Sequence, residues 1–299
     1  MSCWVDSVGF QSSFINRPCW KTVATPKTFP PANVEAIRKV MKAGFPFILA
    51  TGKARKGALD SVLELKEDLI KHGMGVFLQG LFVTSRDGKI CHEKVLGNEL
   101  ALKVCELGKE LGITVVGYER DRILCETRNE ETDKVIPYHE PVPEAIGSWK
   151  EAIVNRGIKL NKMMFMAPPS QLDRIRPHIE QLLGNSCHIT QAVPGMLEVL
   201  PFGASKGEGL VRLLKSLDVP PSEVIAIGDG ENDIEMFRYV DHSVAVANAS
   251  PRVKAAAKYV TKKTNNNAAV AEALETFILN NPYLKPEQEK KSKKVESAN

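Results

Sequence analysis

At 299 residues the chain has room for one large domain or two smaller ones, and its 43% hydrophobic and 25% charged content is that of an ordinary globular protein. A formal net charge of +4, with many of the lysines in the C-terminal tail, is too mild to argue for nucleic acid, and no apolar run is long enough to span a bilayer. The six cysteines (Cys3, Cys19, Cys91, Cys105, Cys125, Cys187) form no CxxC pair, which reads as reduced thiols of an intracellular protein and argues against a zinc site.

Met1 to Pro31 carries two tryptophans, two cysteines and one acidic residue, Asp6, without the continuous Val/Ile/Leu run of a central strand. Its Ser-rich, acid-poor start is one feature of an organelle transit peptide, but it holds a single arginine, Arg17. Asn33 to Ala43 has apolar residues at Val34, Ile37, Val40 and Met41, the spacing of one helical face, with Asn33 as N-cap and Gly44 as stop. Phe45 to Ala50 reads as a buried strand running into Thr51-Gly52-Lys53. A hydroxyl and free N–H groups at a strand's C-terminal end can hold a phosphate, or simply make a turn. Arg55 to His72 reads as a second helix and Val76 to Leu78 as a short strand.

From Gly80 to Phe202 the pattern is that of a separate unit of strand pairs and helices. Asp87-Gly88 between alternating segments predicts a hairpin. Two strands are expected about Glu119–Asp121, helices at Asn98–Leu111 and Pro169–Leu183, and strands within Leu160–Pro168 and His188–Phe202. Ser205 to Leu217 returns to a helix, with Lys206 in its first turn. A lysine there opposes the helix dipole; a bound anion relieves the conflict, and so does plain solvation.

The stretch Ser222–Phe237, SEVIAIGDGENDIEMF, has the strongest chemistry. Val224–Ile227 is the apolar run of a strand buried on both faces, and Gly228 and Gly230 allow a tight turn at its end. Asp229 and Asp233 follow at a spacing of four with Asn232 between them, at the sheet edge where α/β proteins bind ligands. Such carboxylates suit Mg2+, and equally a polar turn with Asp233 at a helix N-terminus. Outer strands are expected at Val244–Val246 and Tyr259–Val260, helices at Ser250–Ala257 and Ala268–Leu279, and disorder from Pro282 to Asn299. There is no Walker A, no GxGxxG after a strand, no GxSxG elbow, and no i, i+4 histidine pair.

Read together, FILATGKAR (Phe47–Arg55), SKGEGL (Ser205–Leu210), GDGEND (Gly228–Asp233) and the run Val244–Glu275 resemble, in order, the haloacid dehalogenase superfamily, and within it the Cof-type phosphatases with a large α/β cap. The resemblance covers Pro31 to Leu279. It implies an α/β fold: a Rossmann-like doubly wound parallel sheet core at 32–79 and 203–281, an inserted α+β cap at 80–202, an atypical segment at 1–31 and a disordered tail at 282–299.

The resemblance also implies an Mg2+-dependent phosphatase acting on small phosphorylated metabolites, sugar phosphates or flavin-pathway intermediates among them. Thr51, Gly52, Lys206 and Asn232 would bind the phosphate, with Thr51, Lys206 and Asp233 in the catalytic set. Asp229 would hold the metal, supported by Asp233. The family's nucleophile and acid/base sit in a DxD motif closing the first strand. No Asp-x-Asp occurs in this chain, and counting back from Lys27–Ala32 lands near Arg17 and Cys19, where Cys19 has no His or Cys partner. The position between the strands ending at Thr51 and Asp229 would need part of Val5–Ile15 or Trp20–Thr25 to fill it. The alternative is a phosphate- or Mg2+-binding chain without turnover, as a pseudo-enzyme or truncated isoform. No nucleic-acid or membrane partner is expected, the oligomeric state has no signature, and the compartment implied is cytoplasmic or organellar, plastid included, without secretion.

Overall fold

The apolar runs assemble into two sheets in a computed structural model that describes residues 29–280 and, by their backbone, residues 2–6. In chain order the strands are β1 (Ser2–Asp6), β2 (Phe47–Ala50), β3 (Gly75–Phe77), β4 (Phe82–Thr84), β5 (Ile90–Glu93), β6 (Thr114–Glu119), β7 (Arg122–Cys125), β8 (Glu144–Ala145), β9 (Lys162–Met166), β10 (His188–Val193), β11 (Met196–Leu200), β12 (Val224–Gly228), β13 (His242–Ala245) and β14 (Tyr259–Val260). The first sheet has the order β14-β13-β12-β1-β2-β3-β4-β5, parallel from β14 to β3 and antiparallel beyond. Val224 to Ile227 in β12 and Phe47 to Ala50 in β2 are buried throughout, as apolar runs in a sheet covered on both faces should be.

The centre of this sheet corrects the sequence reading. β1 lies between β12 and β2 and is hydrogen-bonded in parallel to both, Cys3 opposite Ile225 and Phe47, Val5 opposite Ile227 and Leu49. No Val/Ile/Leu run was needed. A vacant central position leaves two ladders of backbone groups unpaired, each group costing about 1–3 kcal/mol when buried. That demand recruits a five-residue strand of mixed composition, SCWVD. Arg17, Cys19 and the rest of residues 7–28 lie outside the described residues, as does the tail from 281.

A second correction concerns β4 and β5. The turn at Asp87-Gly88 is where it was expected, both residues with positive φ, but the hairpin extends the first sheet, with Gly75 opposite Thr84 and Phe82 opposite Glu93. The inserted unit has its own sheet, β10-β11-β9-β6-β7-β8, starting only at Thr114. The chain crosses between the halves near Lys94 and near Phe202, and these crossings are tied together: the Lys94 ammonium donates to the Phe202 carbonyl at 2.5 Å. The Asn161 amide donates to the Lys94 carbonyl at 3.0 Å.

Alternation along the inserted sheet sorts its side chains into two faces. Val115, Met163, Phe165, Leu197 and Val199 pack with the helices Asn98–Glu110 and Pro169–Leu183, predicted nearly residue for residue. Val116, Tyr118, Met164, Met166, Met196 and Leu200 belong instead to the cluster that runs through the first sheet. The inserted unit therefore turns one face toward the core.

Two helix readings change. Pro30, not Asn33, precedes the helix Pro31–Lys42. Asn33 is buried, and its Oδ1 accepts the Ala271 N–H at 2.9 Å. The predicted helix 55–72 is broken into Arg55–Asp60, a 3-10 turn Leu63–Leu65 and Lys66–His72, because Val62 leaves helical φ/ψ. Among the described residues no helix is long and apolar enough to cross a membrane.

Candidate active site

Three strand ends meet at one edge of the first sheet. Thr51 follows β2, Asp229 follows β12, and β1 between them ends at Asp6, whose backbone stands level with Ala50 and one step past the Val5–Ile227 pair. The carboxyl edge of a parallel sheet is where open α/β folds bind ligands. The central strand, which the sequence reading left unassigned, thus ends in an aspartate. Two residues further along the sequence stands Val8, so the DxD pattern is half present.

Thr51 is buried, its N–H donating to Val76 at 2.8 Å and its carbonyl accepting from Gln79 N–H at 3.1 Å. Its hydroxyl oxygen accepts the Lys53 N–H at 3.2 Å, so the Thr51–Lys53 turn is fixed locally. Lys206 is placed by its own helix. Ser205 caps Lys206–Leu217, its hydroxyl oxygen accepting the Glu208 N–H at 3.0 Å, while Leu210, Leu213 and Leu214 bury the inner face. Gly80, at φ +84°, lets the β3–β4 connection press on that helix start. A Cβ there would come within 2.0 Å of the Ser205 carbonyl oxygen.

Lys206 and Asp233 form a buried ion pair, Nζ to Oδ1 at 2.8 Å, with side chains 1% and 0% exposed. The other oxygen, Oδ2, accepts the backbone N–H of Asp229 at 3.0 Å and of Gly230 at 2.9 Å. Both oxygens of Asp233 are therefore engaged. It fixes the lysine and the Asp229-Gly230 turn at once, a supporting role for a residue that sequence also listed among the metal carboxylates. Lys206, Asp233 and the Asp229-Gly230 turn are thus joined by hydrogen bonds, and Thr51 ends β2 at the same edge of the sheet.

Around them stand residues that motif reading missed. Gln79 is buried and sits in a run of positive φ, Leu78 (+52°), Gln79 (+58°) and Gly80 (+84°), uncommon for non-glycine residues. Its Oε1 accepts from Asn232 Nδ2 at 3.3 Å, and a Cβ on Gly52 would meet its Nε2 at 2.7 Å. Only Gly80 gave a sequence signal. Asn265 donates to Asp229 Oδ2 at 3.3 Å and exchanges two hydrogen bonds with Asn248, at 3.0 and 3.1 Å. That pair orients the Asp229 carboxylate.

Each residue from Gly52 to Lys56 is bonded to the inserted unit. The Gly52 carbonyl accepts from Lys162 Nζ at 3.0 Å, and Lys53 Nζ donates to the Tyr138 carbonyl at 2.7 Å. Ala54 N–H donates to Glu140 Oε2 at 3.3 Å. Arg55 grips Asp121 Oδ2 with Nε and Nη2 at 2.9 and 2.5 Å, and the Lys56 N–H reaches Asp121 Oδ1 at 3.0 Å. Burial pushes the half-buried Glu140 carboxyl up to about 7, against the pull of Lys162 and Lys53.

For a divalent cation the donor chemistry fits. Asp229 supplies a hard carboxylate and Asp6 closes the neighbouring strand, the donor type Mg2+ prefers. Among the described residues no group of three metal-ligating side chains stands together.

Residues 23–274 match the family of haloacid dehalogenase-like hydrolases; β1 lies outside the matched range. The chain is 34% identical over 250 residues to the chloroplastic endoribonuclease YBEY of Arabidopsis thaliana, covering 81% of this chain and 42% of that protein. It therefore spans less than half the length of that relative. It is 30% identical over 250 residues to the uncharacterized hydrolase C25B8.12c of Schizosaccharomyces pombe, covering 78% of this chain and 79% of the other. A haloacid dehalogenase-like hydrolase from Bacteroides thetaiotaomicron, 23% identical, superposes with a TM-score of 0.77 over 92% of this chain and 98% of its own.

Proposed function

The chain belongs to the haloacid dehalogenase-like hydrolases, and from that premise we propose that it is a Cof-type phosphatase that hydrolyses small phosphorylated metabolites with Mg2+ through an aspartyl-phosphate on Asp6. The observation that carries this reading is the buried Lys206–Asp233 pair beside Asp229, at the same sheet edge as Thr51 and the end of β1. Phosphate monoester hydrolysis is slow because anionic oxygens repel a nucleophile, so charge neutralisation and in-line placement are what a protein must supply.

In this reading an Asp6 carboxylate oxygen attacks phosphorus, the P–O ester bond breaks, and the leaving alkoxide takes a proton from solvent water. Water then cleaves the acyl phosphate, releasing phosphate and restoring Asp6. The Lys206 ammonium and the Thr51 hydroxyl face the phosphoryl oxygens, and Gly52 lets the backbone come close. Asp233 holds Lys206 in place, and Asn232 adds a polar contact steadied by Gln79. Asp6 and Asp229 would hold Mg2+, which would supply further neutralisation of the phosphoryl charge. Val8, standing in sequence where the family has its acid/base aspartate, removes proton donation to the leaving oxygen. Aryl phosphates, whose leaving groups are already acidic, should then outrun alkyl phosphates.

The test is turnover of p-nitrophenyl phosphate by the full chain with Mg2+. Activity should vanish with EDTA, in Asp6→Asn and in Asp229→Ala; an Asp6→Asn variant as active as the parent would overturn the mechanism. Val8 also favours a second reading, a phosphate-binding chain without turnover. It predicts no hydrolysis together with thermal stabilisation by inorganic phosphate and Mg2+.

A further inference from the structure

The face that the inserted sheet turns toward the core is apolar at Val116, Tyr118, Met164, Met166, Met196 and Leu200. Two charged side chains interrupt it, Lys162 and Glu198. Both are nearly buried, 2% and 7% exposed. Register explains why they meet: Lys162 lies opposite Tyr118, and Glu198 opposite Met164, two residues along β9 on the same face.

Lys162 uses two of its three donors here. The ammonium gives hydrogen bonds to Glu198 Oε1 at 2.5 Å and to the Gly52 carbonyl at 3.0 Å, and stands 4.4 Å from the centre of the Tyr118 ring. On Glu198 one oxygen is left over: Oε2 is buried and accepts no hydrogen bond. A buried carboxylate oxygen without a donor is costly and uncommon in native structures. Glu198 is also one ammonium group away from Gly52, in the turn that would hold the phosphate.

We infer that Glu198 is a specificity-determining residue, its Oε2 accepting a hydroxyl of the substrate's leaving group, with Lys162 as the group that positions it. This rests on the phosphatase reading of the same site. The chemistry selects an uncharged, hydroxyl-bearing leaving group. A second anionic group would be repelled by the Glu198 carboxylate, and an amine would add a positive charge next to the Lys162 ammonium.

The experiment compares hexose 6-phosphate, its single-deoxy analogues, hexose 1,6-bisphosphate and p-nitrophenyl phosphate on the full chain with Mg2+. At least one deoxy analogue should lose roughly 10- to 100-fold in kcat/KM, the scale of a hydrogen bond to a charged group, and the bisphosphate should be a poor substrate. Glu198→Gln should lose a similar factor for hexose 6-phosphate, chiefly in KM, with p-nitrophenyl phosphate within about threefold of the parent. Equal losses on both substrates, or deoxy analogues all as good as the parent sugar, would overturn the assignment. If nothing is turned over, the catalytic reading fails by itself. The inference is then decided by thermal stabilisation: hexose 6-phosphate should stabilise the chain more than inorganic phosphate does, and Glu198→Gln should erase that difference. A difference that persists in Glu198→Gln, or none in the parent, overturns it.

Discussion

Replacing Asp233 by asparagine tests the centre of the site with almost no change of shape. The carboxylate accepts from Lys206 on one oxygen and from two backbone N–H groups on the other. An amide offers one oxygen and one NH2. With the oxygen toward the Asp229 and Gly230 N–H groups, the NH2 faces the Lys206 ammonium; turned over, it faces the two N–H groups. Either way donors confront donors in a place 0–1% exposed, where salt screens little. Removing one partner of a buried ion pair costs about 3–5 kcal/mol, a large part of the 5–15 kcal/mol typical of a whole fold. Urea denaturation followed by circular dichroism should show the midpoint fall at unchanged slope. The double variant Lys206→Met with Asp233→Leu should recover most of the loss, because an apolar replacement of similar volume removes both desolvation penalties. A single-variant loss below about 1 kcal/mol, or a double loss equal to the sum of the singles, would refute the reasoning.

Gly80→Ala adds a Cβ 2.0 Å from the Ser205 carbonyl oxygen at a positive φ, and should lower stability by about 3 kcal/mol or more, measurable in the same denaturation experiment, with activity falling as Lys206 shifts. Glu140 has its carboxyl pushed up from an ordinary 4.5 to about 7 by burial and, to a lesser degree, by Glu198, against the opposing pull of Lys162, Lys53 and the Ala54 N–H. The folded state therefore binds more protons than the unfolded between those values, so Glu140's contribution to stability is full below about pH 4.5 and is lost as the pH rises through about 7. The melting temperature of Glu140→Gln relative to the parent should thus climb across that interval, and a flat difference would count against it. Asp121→Ala breaks a half-exposed pair with Arg55, worth about 0.2–1 kcal/mol; hydrogen exchange at Lys56 should nevertheless speed up, since its N–H loses its acceptor.

Much of the fold was legible because its elements carry strong local patterns. Val224–Ile227, Pro169–Leu183 and the Ser205-capped helix are apolar runs or amphipathic stripes with punctuation at their ends, and they formed where periodicity said. β1 escaped for a physical reason. Its place is fixed by the ladders of β2 and β12 on either side, a nonlocal demand that leaves almost no trace in Ser-Cys-Trp-Val-Asp itself. The hairpin β4–β5 was recognised as a hairpin, yet which sheet it would join depends on the edge β3 offers. Among the candidate site residues, Thr51, Lys206, Asp229 and Asp233 came from the resemblance carried by FILATGKAR, SKGEGL and GDGEND. Gln79, Asn265, Lys162 and Glu198 did not, since each matters through a partner more than 30 residues away.

The bond from Lys94 to the Phe202 carbonyl has a mechanical meaning. The strand that enters the inserted unit and the one that leaves it are pinned at a single spot, so both chain ends of that unit share one anchor. From a sheet fastened there Lys162 reaches the Gly52 carbonyl, which ties the register of the Thr51 turn to the point where the chain passes from one sheet to the other.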